Sequence, residues 1–229
     1  MPLAIREIKS LGDSALVVEF KPVIDVAVHQ QVLALQRGLD EAAWDAITFR
    51  TPACCSLGIG FDPGRIDQEE LVARLWTLAA RTDSDPQALG GRSWTVPVCY
   101  EEELGVDLPE VARFTGRSAE AVIALHLSVT YRVYMLGFLP GFAYLGTLPA
   151  ELACPRRAEA RTQVPAGAVA IAGQQTAIYP AVSPGGWHVL GQTSFRPFDP
   201  DAADPFRFQA GDEVRFERVS RTTFERGNA

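Results

Sequence analysis

The stretch "YRVYMLGFLPGFAYLG" (131–146) reads as a strand, a sharp bend and a second strand. Tyr131–Leu136 is rich in aromatic and β-branched or long apolar residues, the composition of a half-buried strand. Pro140-Gly141 is the pair that a type II turn takes at its two central positions: proline pre-sets φ near −65° and glycine accepts the positive φ that follows. Turn residues normally mark polar surface, yet here Phe138, Phe142 and Tyr144 flank the bend. The predicted element is a buried hairpin turn, with aromatic side chains packed beneath it or walling a ligand that approaches Gly137, Phe138, Pro140, Gly141 and Tyr144.

Downstream of that hairpin the pattern is all β. "VPAGAVAIAG", "TAIYPAV", "GWHVLGQT" and "FRFQAGDEVRFERV" are short strands with Gly/Pro turns at close spacing, which predicts a barrel or sandwich. Upstream, "SWTVPVCY" (93–100) reads as a strand. "DLPEVARFTG" and "SAEAVIALH" read as short helices, with Pro109 in a first turn, Gly116 as C-cap and Ser118 as N-cap. "TDSDPQALGGRS" strings polar, Pro and Gly residues together and predicts a domain boundary over residues 82–92. Before it lies a β-β-α-β-β-α order: a hairpin turning at Gly12-Asp13, a helix N-capped by Asp25, two strands, and a helix with Asp67 as N-cap and Glu70 three residues on. Two domains follow, an α+β domain over 1–85 and a β-rich domain over 92–229. The tail "SRTTFERGNA" is expected to be frayed.

Composition narrows function mainly by exclusion. A formal charge of −7 over 229 residues argues against a nucleic-acid binder, which needs a basic footprint. No apolar run of about 18 residues is present, and charges fall within the first nine residues, so neither a membrane span nor a signal peptide is expected. Four cysteines without metal-ligand spacing suggest reduced thiols and a cytoplasmic protein. Lys9 and Lys21 follow no glycine loop, so a Walker-type phosphate cradle is excluded, and no stock hydrolase or zinc motif occurs. No metal site is expected.

Three segments combine turn chemistry with ligand-binding groups. Besides 137–146, "CPRRAEARTQVPAG" places Arg156 and Arg161 on a stiff loop, where guanidinium forks suit carboxylate or phosphate. "AGQQTAIYPAVSPGGWHVLG" supplies Gln175, Thr176 and Tyr179, then a tight turn at Gly185, Gly186 and Trp187. Such turns around one end of a barrel suit a small amide or acid.

With "GDSAL" (12–16), these segments resemble the 5-oxoprolinase B-subunit family (PxpB, KipI-like), also called allophanate hydrolase subunit 1. The resemblance implies a ferredoxin-like N-terminal domain and a cyclophilin-like β-barrel C-terminal domain. It implies a role in an ATP-dependent 5-oxoprolinase that converts 5-oxo-L-proline to L-glutamate. The partners would be a LamB/YcsF-type A subunit plus a KipA-like C subunit. ATP, with Mg, would belong to the complex, this chain holding no metal or prosthetic group and being inactive alone. It also marks His126 as a candidate proton donor or acceptor, a core histidine being the competing reading. Other branches imply a KipI-type inhibitor of a histidine kinase, or a urea carboxylase/allophanate hydrolase-related subunit. Ala143, Thr147, Ala160, Gln174, Ala177 and Gln192 depart from the family pattern and predict a pocket of altered shape.

Overall fold

The computed structural model describes residues 2–83, 91–101 and 103–227. The chain forms two compact units, Met1–Gly90 and Gly91–Ala229. The boundary expected over 82–92 falls mainly on residues 84–90, which lie outside the described residues.

The first unit runs β1(Glu7–Ser10), β2(Ala15–Glu19), α1(Val26–Ala42), β3(Ile47–Pro52), β4(Ser56–Phe61) and α2(Gln68–Arg81). Its sheet has the order β1-β2-β4-β3 and every pairing is antiparallel. The helices start where their caps predict. Asp25 accepts from the Ala27 and Val28 amides at 2.9 and 3.1 Å, and Asp67 from the Glu70 amide at 2.8 Å. Each cap satisfies donors that a helix start leaves unpaired. Glu70 itself pairs with Arg74 one turn on. Alternate residues of the central strands (Leu16 and Val18, Leu57 and Ile59) and the apolar stripes of both helices (Val32, Leu35, Leu39; Leu71, Leu75) make the core. His29 is buried on α1, a packed histidine.

The second unit begins with β5(Ser93–Val98), α3(Leu108–Thr115) and α4(Ala119–Leu127). Then come β6(Tyr131–Leu136), β7(Ala143–Gly146), β8(Arg161–Val164), β9(Ala168–Ala172), β10(Gln175–Ile178), β11(Ser183–Gly185), β12(His188–Gln192), β13(Glu213–Arg218) and α5(Arg221–Gly227). Seven strands form one sheet in the order β12-β9-β10-β7-β6-β13-β5, antiparallel except for β13 against β5. The sheet nearly closes into a barrel. Cys99, just past β5, and Gln192 at the end of β12 exchange N–H···O bonds of 2.8 and 2.9 Å, joining the two edges. Val169 and Ile171 of β9 point to the interior with Val133, Leu145 and Ile178, and α3 and α4 add Leu108, Val111, Val122 and Ile123 to that core. Ala168, Ala170 and Ala172 point the other way, into a second core on the outer face. Both faces of β9 are therefore buried, which is why its sequence is unbroken apolar.

Two expectations are corrected here. Ser183–Gly185 is a short strand paired with β8, a two-stranded strap outside the main sheet. The tail is helical over Arg221–Gly227, residues 228 and 229 lying outside the described residues: the Ser220 hydroxyl accepts from the Thr223 amide at 3.3 Å, and Arg221 reaches Glu103 at 2.7 Å, tying α5 down.

Candidate functional site

The bend at 137–142 has the turn geometry its residues predict, but its tip is exposed at Phe138 and Pro140 and not buried. The Phe142 amide donates to the Leu139 carbonyl at 3.0 Å, with Pro140 and Gly141 between them and Gly141 at φ +82°. A side chain on Gly141 would also come within 2.5 Å of Phe198 Cβ, so the position is closed twice over. The Gly137 amide donates to the Phe142 carbonyl across the base of the bend. Phe138 stands at its tip, 60% exposed and at φ +71°, a conformation that costs a non-glycine residue about 1 kcal/mol or more.

Phe142 is the hub of an aromatic wall on the barrel's outer face. Its ring meets Phe138 at 5.4 Å, Tyr144 at 4.9 Å, Tyr179 at 5.1 Å and Trp187 at 5.9 Å, all edge-to-face. Tyr144 and Trp187 meet at 5.9 Å. Ala168, Ala170, Ala172 and Ala177 form a floor low enough for these rings, and Val164 of the strap packs over them. Ala177 thus carries a packing role at a position where the sequence alone suggested an altered pocket. Burial pushes the Tyr179 hydroxyl up in pKa, opposed by the Trp187 backbone N–H and the charge of Arg156. Gly185 lies flat on that hydroxyl: an added Cβ would sit 2.4 Å from it. Ser183, paired with Val164 across the strap, shares its face; its hydroxyl is buried and bonds to no other described residue.

Gln175 and Thr176 part company. Gln175 lies two residues before Ala177 on the outer face and is half-buried. Thr176 points into the barrel, where its hydroxyl donates to the Ala170 carbonyl at 3.0 Å. His126 is there too, fully buried, its Nε2 3.0 Å from Thr176 Oγ1 and its Nδ1 2.8 Å from the Tyr100 hydroxyl. Because the Thr176 proton is spent on Ala170, Nε2 carries the imidazole proton and Nδ1 accepts from Tyr100. Burial drives its pKa down to about 3, and its ring stacks on Phe216 at 4.7 Å. This is the environment of a neutral core histidine, shut away from Tyr144 and Trp187 by the thickness of the sheet.

The arginine loop departs most from expectation. Arg156 is exposed and, among the described residues, makes no ion pair. Arg161 is not an open fork. Its two terminal nitrogens clasp Asp107 at 2.6 Å each. Arg157 adds a bond of 2.7 Å to the same carboxylate and 2.9 Å to Glu110, and the Val189 amide donates to Asp107 Oδ2 at 2.7 Å. Burial raises the Asp107 pKa, but the bonds from Arg161 and Val189 and the charges of Arg161 and Arg157 outweigh it and hold the carboxyl below its ordinary value. Asp107, Glu110 and His188 have the spacing of a metal cluster. Here, however, two guanidinium groups and an amide already occupy all the lone pairs of Asp107. Asp107 was missed in the sequence because it precedes Leu108-Pro109 like an N-cap; its side chain makes no cap bond and is spent 50 to 82 residues away.

Residues 6–208 match the family model of the carboxyltransferase domain, subdomains C and D. The chain is 34% identical over 232 residues to the 5-oxoprolinase B subunit of Bacillus subtilis, covering 95% of each protein. It is 41% identical over 205 residues to the 5-oxoprolinase B subunit of Haemophilus influenzae, covering 87% of this chain and 92% of that one. A putative urea carboxylase of Emericella nidulans is 24% identical over 220 residues, 81% of this chain but 18% of its own length. The crystal structure of TTHA0988 superposes with a TM-score of 0.79 at 37% identity, over 90% of this chain and 40% of that longer one. In described residues, no helix is long and apolar enough to cross a membrane. The chain belongs to the 5-oxoprolinase B-subunit family, within the carboxyltransferase subdomain C and D proteins.

Proposed function

We propose that the chain is the B subunit of an ATP-dependent 5-oxoprolinase that opens 5-oxo-L-proline to L-glutamate, working with a LamB/YcsF-type A subunit plus a KipA-like C subunit. The observation that carries this reading is end-to-end similarity to the B subunit of 5-oxoprolinase, 95% of both chains for the Bacillus subtilis protein. The two units are assigned as ferredoxin-like and cyclophilin-like. For the first, moving β1 to the end of the chain order turns β-β-α-β-β-α with the sheet order β1-β2-β4-β3 into β-α-β-β-α-β with the order 4-1-3-2.

The ligand face is the aromatic wall and its rim. Exposed Phe138 and half-buried Tyr144 offer apolar surface to a five-membered lactam, with buried Trp187 backing them, while Gln175 offers an amide to its polar edge and exposed Arg156 a guanidinium to its carboxylate. The wall's backbone depends on Pro140, Gly141, Tyr179, Gly185 and Gly186. Arg161, Thr176 and His126 act from behind it, holding loop and barrel in shape. Lys9 is paired with Glu7 and Glu19, and no glycine loop precedes either lysine. ATP and Mg are accordingly assigned to the complex, and ring opening to groups that a partner supplies.

The test is reconstitution. The purified chain alone should show no 5-oxoproline-dependent ATP hydrolysis, and adding the A and C subunits from the same source should produce it. Robust turnover by the isolated chain would overturn the subunit reading. Similarity to a putative urea carboxylase favours a second reading, in an amide-carboxylating system; ATP hydrolysis dependent on urea instead of oxoproline would select it.

A further inference from the structure

The Asp107 carboxylate ties together three segments far apart in sequence: the start of α3, the arginine loop with β8, and β12. All its acceptor capacity is used, in a site where its side chain is 3% exposed. The contacts continue outward from there. Arg161 stands opposite Gly185 in the strap ladder. The Arg157 amide donates to the Gly186 carbonyl at 2.8 Å. Gly185 seats on the Tyr179 hydroxyl, and Trp187, the next residue after Gly186, gives that hydroxyl its backbone N–H and closes the wall against Phe142 and Tyr144.

We infer that Asp107 is a positioning residue: through Arg157 and Arg161 it clamps the β8–β11 strap and thereby sets the Gly185–Trp187 edge of the ligand face. The inference rests on the lactam-binding reading above. A buried ion pair is a poor source of net stability, because desolvation offsets most of its attraction, but its directional bonds fix one arrangement of the chain. A carboxylate is needed, since asparagine would turn two N–H donors towards groups that are themselves donors. A planar fork is needed opposite, since lysine keeps the charge of Arg161 but cannot span both oxygens. Glu110 cannot take over: it is turned to Arg157 and lies 3.8 Å from His188 Nδ1, while His188 Nε2 donates to the Pro155 carbonyl.

The experiment compares the wild-type chain with Asp107→Asn and, in case that variant fails to fold, Arg161→Lys. Hydrogen exchange by mass spectrometry should show the amides of 161–164 and 183–187 exchanging at least tenfold faster in the variants, with those of β9 and β10 unchanged. In the reconstituted complex the KM for 5-oxoproline should rise about tenfold with kcat within a factor of two. Equal acceleration throughout the barrel would make Asp107 an ordinary stability residue and overturn the inference. So would unchanged strap exchange, or a loosened strap with an unchanged KM. A wild-type complex that fails to consume 5-oxoproline overturns the reading of the function, and the positioning role with it; wild-type turnover with indifferent variants overturns the positioning role alone.

Discussion

His126 shows what burial does to an ionisable side chain. Its neutral ring has one nitrogen donating to Thr176 and one accepting from Tyr100, so protonation would break a bond as well as place a charge in the barrel core. The folded pKa of about 3 lies well below the 6.5 or so of the unfolded chain. Above pH 6.5 both states are neutral and the stabilising contribution is complete. Below it the unfolded chain binds the proton first, so stability falls as pH falls towards 3, by up to about 1.4 kcal/mol per pH unit. Denaturant unfolding at pH 7, 6 and 5 should show this loss in the wild type. His126→Gln, although less stable at pH 7, should show a flatter profile between pH 6.5 and 4.5. Parallel profiles for the two proteins would mean that the histidine is solvated in the folded state. The depressed pKa of Asp107 works at a lower window: its contribution is complete above about pH 3.9 and is lost only as pH falls through the lower folded value.

At the scale of elements, the strap is the part of the barrel most sensitive to a single methyl group. Gly185→Ala would place Cβ against the Tyr179 hydroxyl, whose ring is wedged between Phe142 and the strap, so neither side can give way cheaply. The expected cost is about 1–3 kcal/mol, read from the denaturation midpoint. Gly137→Ala is the control: its added Cβ meets only Met135 Cε, at 3.8 Å, and the cost should stay within about 0.5 kcal/mol. Equal costs would show that the strap does not rest on Tyr179 as described. The strap was also the element least legible in the sequence. "RTQV" and "SPG" carry no alternation, and each is a strand only because the other lies beside it. By contrast the Pro140-Gly141 turn, the helix caps at Asp25, Asp67 and Ser118, and the β7 and β9 strands were all readable, because their causes lie within a few residues. The Cys99–Gln192 closure and the Asp107 clamp were not, since their partners are set by the fold. Arg161 looked like a free guanidinium for the same reason. The helical tail had a local signal in Ser220 as N-cap, hidden by the lack of an apolar stripe.

For the whole molecule, the question is what covers the tip of the aromatic wall. In TTHA0988 the matching region is 40% of a longer chain, and the curated relatives carry the name of one component among several. Phe138 is exposed, and its left-handed backbone is strained for any residue with a side chain, so the strain offsets what its edge-on contact with Phe142 contributes locally. A large aromatic ring exposed at a turn has the properties of an interface anchor. In the proposed complex, Phe138 is expected to dock on the KipA-like C subunit. Replacing it separates the two roles. Phe138→Gly removes the ring and also the strain, so the isolated chain should melt within about 1 kcal/mol of the wild type. Affinity for the KipA-like partner, measured by titration calorimetry, should nevertheless fall at least tenfold, a loss of about 1.4 kcal/mol. Unchanged affinity would remove Phe138 from the interface and leave the exposed ring to the ligand alone. A sharply lowered melting temperature would instead show that the ring's edge-on contact with Phe142 is part of the core.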